Sequence, residues 1–126
     1  MPKKKILVID DEEDFVQLIK LNLEKTGDYE VMTETKGVEA VNRALEFKPD
    51  LIFLDIMMPD LDGTIVMDDI KANKELEDIP VVFLTAIATK TDQFSSKGGT
   101  IGGQQILAKP VTTKELVECI KVNVPF

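Results

Sequence analysis

A chain of 126 residues suits one compact domain with room for a real core, and residues 1–126 read as a single unit. Its 15 lysines and arginines against 23 aspartates and glutamates leave a net charge of −8, which argues against nucleic-acid binding through phosphate neutralisation. No histidine is present to act as base, metal ligand or phosphoryl carrier, and the single cysteine, Cys119, excludes an internal disulfide.

Lys3, Lys4 and Lys5 read as a solvated start, and Ile6-Leu7-Val8-Ile9 behind them as a strand covered on both faces. That run, stopped by Asp10, is too short for a signal-peptide core. No other run approaches a membrane span, so a cytoplasmic protein without membrane insertion is expected. Phe15, Leu18, Ile19 and Leu23 recur at helical spacing, with Gly27 as the expected C-cap. Tyr29 to Thr33 alternates as a more exposed strand does. Val38, Val41, Ala44 and Leu45 predict a second helix that ends before Pro49.

Leu51-Ile52-Phe53-Leu54 is a second buried strand, followed by a short helix from about Thr64 to Asn73. Pro80 leads into a third, Val81-Val82-Phe83-Leu84, and the last strand is Ile106-Leu107-Ala108. Thr112 and Glu115 form a capping box for a final helix, in which Cys119 is expected to be a buried, inert thiol. Between these strands, Gly98, Gly99, Gly102 and Gly103 mark a soft stretch. Each glycine costs a helix about 1 kcal/mol relative to alanine, so the fourth helix should be abbreviated.

Strand and helix alternate along the chain, which predicts a parallel sheet with helices on both faces. Ligands bind such sheets beyond the carboxyl ends of the strands. There the strands deliver Asp10 and Asp11, Asp55, Thr85 and Lys109. Crowded carboxylates repel one another and need a counter-charge. Oxygen donors without nitrogen or sulfur suit a hard cation such as Mg²⁺. Such a cation and a lysine opposite it would neutralise a phosphoryl group in transfer, with a carboxylate between them as acceptor.

Asp10-Asp11, then Asp55 with Met57, Met58, Pro59, Asp62 and Gly63, then Thr85-Ala86, then Lys109-Pro110 resemble the receiver domain of bacterial two-component response regulators. The resemblance spans nearly the whole chain and is nearest in kind to a single-domain, chemotaxis-type regulator. It implies a doubly wound, flavodoxin-like (βα)5 fold with five parallel strands in the order 2-1-3-4-5. It also implies that Asp55 takes a phosphoryl group from the phosphohistidine of a sensor histidine kinase or histidine phosphotransfer protein. Asp10, Asp11, Asp55 and the Met57 carbonyl would hold Mg²⁺, directly or through water. Lys109 would pair with phosphate oxygens, and the Thr85 hydroxyl would move to meet them. The missing histidine fits, because the donor supplies it. The downstream protein target is not implied.

Three other readings compete with this one. Asp60-Leu61-Asp62-Gly63-Thr64 matches the D-x-D-G-T string of haloacid-dehalogenase-like phosphatases, but the buried strand has already ended at Asp55 and Pro59 intervenes. A nucleotide site lacks any matching phosphate loop. A scaffold of the same fold that has lost phosphotransfer is disfavoured by the complete set of chemical residues.

Ile106 departs from the family pattern, because receivers usually carry Tyr or Phe there. Output is therefore expected through a mobile segment from about Lys90 to Gln105 instead of an aromatic rotamer change. The resemblance places Met57 and Ile87 beside the phosphoryl group, and because both are apolar, slow self-dephosphorylation is expected.

Overall fold

The computed structural model describes residues 2–86, 99–101 and 104–124. Strand β1 (Lys4–Ile9) is followed by helix α1 (Glu13–Glu24), strand β2 (Tyr29–Glu34), a 3-10 turn (Gly37–Glu39) and helix α2 (Ala40–Phe47). Strand β3 (Leu51–Asp55), helix α3 (Gly63–Ala72) and strand β4 (Val81–Thr85) come next. Strands β5 (Gly99–Ile101) and β6 (Gln104–Ala108) precede helix α4 (Thr113–Asn123).

The sheet order is β2-β1-β3-β4-β6-β5. Every pairing from β2 to β6 is parallel, so the parallel strands stand in the expected order 2-1-3-4-5. β5 is an addition: it pairs antiparallel with β6, Gly99 opposite Ile106 and Ile101 opposite Gln104. Among the described residues the sheet thus has the five expected parallel strands and a sixth, antiparallel one. Glycine is a poor helix former, but its backbone still donates and accepts in a ladder, and this strand covers the edge that β6 would otherwise present. Ile87 and most of Lys90–Gln105, including Gly98, Gly102 and Gly103, lie outside the described residues.

The continuous aliphatic runs are explained by burial on both faces. Leu7, Ile9, Ile52, Leu54, Val81 and Phe83 face α2 and α3, and pack with Ala44, Val66 and Ile70. Their neighbours Ile6, Val8, Leu51, Phe53, Val82 and Leu84 face the other way, onto Val16, Ile19, Leu116 and Ile120 of α1 and α4. Side chains alternate along a strand, so only two apolar layers can satisfy an unbroken apolar run. Full burial of each aliphatic side chain contributes roughly 1.5–3 kcal/mol, enough collectively to carry a few buried charges at one edge.

Two helix readings shift. Leu18, expected on the core face of α1, is 55% exposed, and the buried stripe is Val16, Ile19 and Leu23. Val38 lies in the 3-10 turn, outside α2, and is 57% exposed. Helix α1 ends at Glu24 with Lys25 as its C-cap, and Gly27 takes the left-handed φ of +85° two residues beyond it. Thr112 and Glu115 make the expected capping box. Cys119 is half-buried, and burial, only partly opposed by the Asn123 amide, pushes its thiol up to about 11. It is inert at neutral pH.

Candidate functional site

The chain passes from β1 to β2, the edge strand beside it, and then crosses to β3 on the other side of β1. The carboxyl ends of β1 and β3 therefore flank the point where the winding reverses. Register decides what meets there. Ile9 pairs with Leu54, so Asp10 stands level with Asp55. Asp55 pairs with Leu84 and Thr85 with Ala108, which carries Thr85 and Lys109 to the same edge. The Lys109 N–H donates to the Thr85 carbonyl at 2.9 Å, joining the two strand ends, and the Lys109–Pro110 peptide is cis.

Asp10, Asp55 and Thr85 are buried, whereas Asp11 is exposed at the mouth. One carboxylate oxygen from each of Asp10, Asp11 and Asp55 lies within 4.8 Å of the others. Lys109 Nζ stands 2.6 Å from Asp10 Oδ2, 3.2 Å from Glu12 Oε1 and 3.9 Å from Asp55 Oδ2. Its ammonium also lies 4.4 Å from the centre of the Phe15 ring. Asp55 Oδ1 accepts from the Met57 N–H at 3.3 Å, and Asp10 Oδ1 from the Glu12 N–H at 3.0 Å. Thus the structure brings together Asp10, Asp11, Asp55 and Lys109, with the Met57 backbone beside them. Glu12 and Phe15 went unremarked in the sequence as site residues. The only available signal was their position in the first turn after Asp10-Asp11.

The electrostatics are unbalanced. Burial, then the charge of Asp10, pushes Asp55 up to about 7, against the attraction of Lys109 and the Met57 N–H. Burial also raises Asp10, although its hydrogen bonds with Lys109 and the Glu12 N–H oppose the shift. Burial works against the Lys109 charge, but Asp10 and then Asp55 outweigh it, and Lys109 stays above its ordinary value. One lysine does not offset the buried aspartates. The donor set fits a hard divalent cation: it is all oxygen, and one oxygen from each of three aspartates lies within 4.8 Å of the others with a single lysine to offset them.

The D-x-D-G-T string is used otherwise. Asp60 accepts from the backbone N–H groups of Gly37 and Val38, each at 3.1 Å, tying the loop after β3 to the turn before α2. The Val38 bond, with help from Gly37, holds Asp60 below its ordinary value. Asp62 is the N-cap of α3 and accepts from the Thr64 N–H at 2.8 Å and the Thr64 hydroxyl at 2.7 Å. Gly63 lies against the end of β3: a Cβ there would sit 2.7 Å from Ile56 Cα and closer still to the Asp55 carbonyl oxygen. Both aspartates shape the loop.

The family model of the response regulator receiver domain matches residues 6–121. The chain belongs to that family. This receiver domain is 40% identical over 119 residues to the alkaline phosphatase synthesis transcriptional regulatory protein PhoP of Bacillus subtilis (strain 168), covering 94% of this chain and 47% of PhoP. It therefore spans about half the length of that relative. Among solved structures, the receiver domain of sensor histidine kinase PA1611 from Pseudomonas aeruginosa PAO1 superposes with a TM-score of 0.81 at 26% identity, covering 99% of this chain and all of that one. That structure has a magnesium ion coordinated in the active-site cleft. The N-terminal domain of a response regulator receiver protein from Methanoculleus marisnigri JR1 is 33% identical, with a TM-score of 0.69 and 97% of each chain covered. No helix among the described residues is long and apolar enough to cross a membrane.

Proposed function

We propose that this receiver domain takes a phosphoryl group onto Asp55 from a phosphohistidine, with Mg²⁺ held by Asp10, Asp11, Asp55 and the Met57 carbonyl. The observation that carries this reading is the placement of Asp55 at the end of a buried strand, level with Asp10 and 3.9 Å from Lys109. In the transfer an Asp55 oxygen bonds to phosphorus as the nitrogen–phosphorus bond of the donor breaks, and the bonding pair returns to the imidazole. Bound Mg²⁺ would supply positive charge to the phosphoryl oxygens and hold Asp55 ionised. Lys109 neutralises charge from the other side, and Thr85, buried one register step away, offers its hydroxyl to the new acyl phosphate. Movement of Thr85 would draw on the end of β4 and the residues after it, which is the proposed route of the signal.

The donor is a sensor histidine kinase or a histidine phosphotransfer protein, since this chain has no histidine of its own. The downstream partner is a protein, and the work takes place in the cytoplasm, where such donors present their phosphohistidine. The magnesium in the PA1611 receiver supports the choice of cation.

Incubation with Mg²⁺ and a small acyl phosphate should raise the intact mass by one phosphoryl group in the wild type and in Asp60→Asn, but not in Asp55→Asn. Labelling that survives Asp55→Asn and disappears in Asp60→Asn would transfer the assignment to the phosphatase reading. Asp11→Asn should weaken Mg²⁺ binding in calorimetry, and an unchanged affinity removes Asp11 from the ligand set.

A further inference from the structure

Glu12 is the N-cap residue of α1, yet its side chain makes no capping hydrogen bond. That position favours short polar side chains that accept from the first free N–H groups of a helix. The carboxylate of Glu12 instead crosses to Lys109, 97 residues away in sequence, and accepts from Nζ at 3.2 Å. Its own N–H is tied to Asp10 Oδ1 at 3.0 Å, so the residue is anchored at the mouth of the acidic site. Lys109 thus stands between two carboxylates, Asp10 at 2.6 Å and Glu12 at 3.2 Å, with the Phe15 ring on a further side at 4.4 Å.

From this arrangement we infer that Glu12 is a positioning residue for Lys109, the alternative carboxylate that keeps the ammonium at the site when a cation takes Asp10. The inference rests on the metal reading of the aspartate cluster. Asp10 cannot serve a cation fully while its Oδ2 is engaged by Lys109 at 2.6 Å. A lysine pushed off Asp10 by a cation would otherwise move toward solvent. Glu12 is 64% exposed, near enough to pair and wet enough to release the lysine again. Its pairing with Lys109 is strongest when Asp10 no longer competes. Glu12 therefore favours the cation-loaded state, and the ammonium remains within reach of Asp55.

A double-mutant cycle on Mg²⁺ affinity tests this without any phosphotransfer. Calorimetry on wild type, Glu12→Gln, Lys109→Met and the double variant separates pairing with Lys109 from simple attraction between Glu12 and the cation. With Lys109 present, Glu12→Gln should weaken Mg²⁺ binding about fivefold, and with methionine at 109 by less than about twofold. Equal losses in the two backgrounds would overturn the inference. The Lys109 side-chain NMR signals give a second reading in proteins that retain the lysine. With Mg²⁺ saturating, they should differ between wild type and Glu12→Gln, and coincident signals reject the pairing. A wild type that binds no Mg²⁺ overturns the metal reading and this inference with it, whereas normal Mg²⁺ binding with no Glu12 dependence overturns the inference alone.

Discussion

Asp10 and Asp55 stand level on adjacent parallel strands, both buried, because Ile9 pairs with Leu54. Each would be tolerated alone, but together they oppose full ionisation of the site. Burial and the Asp10 charge hold Asp55 at about 7 rather than its ordinary 3.8.

The first prediction follows from that shift. Between those two values the folded chain retains a proton that the unfolded chain has lost, so stability falls as pH rises through the window. Metal-free wild type should therefore lose stability relative to Asp55→Asn from pH ~4 to ~8, with a constant gap above that range. Saturating Mg²⁺ should narrow the gap. Denaturant titrations across the range measure it, and a gap independent of pH contradicts the shift.

Gly63 has no room for a side chain, because an added Cβ would meet the backbone of Asp55 and Ile56 rather than flexible side-chain atoms. Gly63→Ala should cost about 2–3 kcal/mol and displace the loop bearing Met57. Denaturant unfolding gives the cost, and Mg²⁺ affinity reports the displacement. A variant as stable as wild type would show that the loop yields freely.

Asp60 and Asp62 should behave as structural residues. Asp60→Ala frees the Gly37 and Val38 N–H groups, and Asp62→Ala removes the cap on α3. Each should lower the melting temperature while phosphoryl uptake at Asp55 continues. Both pKa values lie below the ordinary carboxylate range, so the stabilisation they provide is present at neutral pH and lost in acid, as pH falls through those values. Uptake abolished in the folded Asp60→Ala protein would return Asp60 to the chemistry.

Met57 is 63% exposed and offers no side-chain nitrogen or oxygen to orient an attacking water. The phosphorylated form should lose its phosphoryl group slowly, and Met57→Asn should speed the loss by about tenfold or more. The decay of the phosphorylated mass over time gives both rates. A wild-type phosphoryl group gone within seconds contradicts the expectation.

Much of the site is legible in the sequence because one physical rule operates twice. An unbroken run such as Leu51–Leu54 must be buried on both faces, and the polar residue that ends it must reach the sheet's edge. Asp10, Asp55, Thr85 and Lys109 could therefore be picked out before any neighbour was known. The order 2-1-3-4-5 came from resemblance, since periodicity records that a strand is buried but not which strand lies beside it.

Only the tertiary structure decided the rest. Glu12 is separated from Lys109 by 97 residues, and nothing local distinguishes it from Glu13. Asp60 likewise reads as part of a phosphatase string until the turn before α2 presents it with the N–H groups of Gly37 and Val38. Leu18 has the right spacing for the core and the wrong side of α1, because the helix buries only the stripe that meets the sheet. Strand β5 was not expected, because the glycines around it read only as a soft stretch unfit for a helix. Backbone pairing with β6 makes it a strand, because hydrogen bonding across a ladder depends on where the neighbouring strand lies.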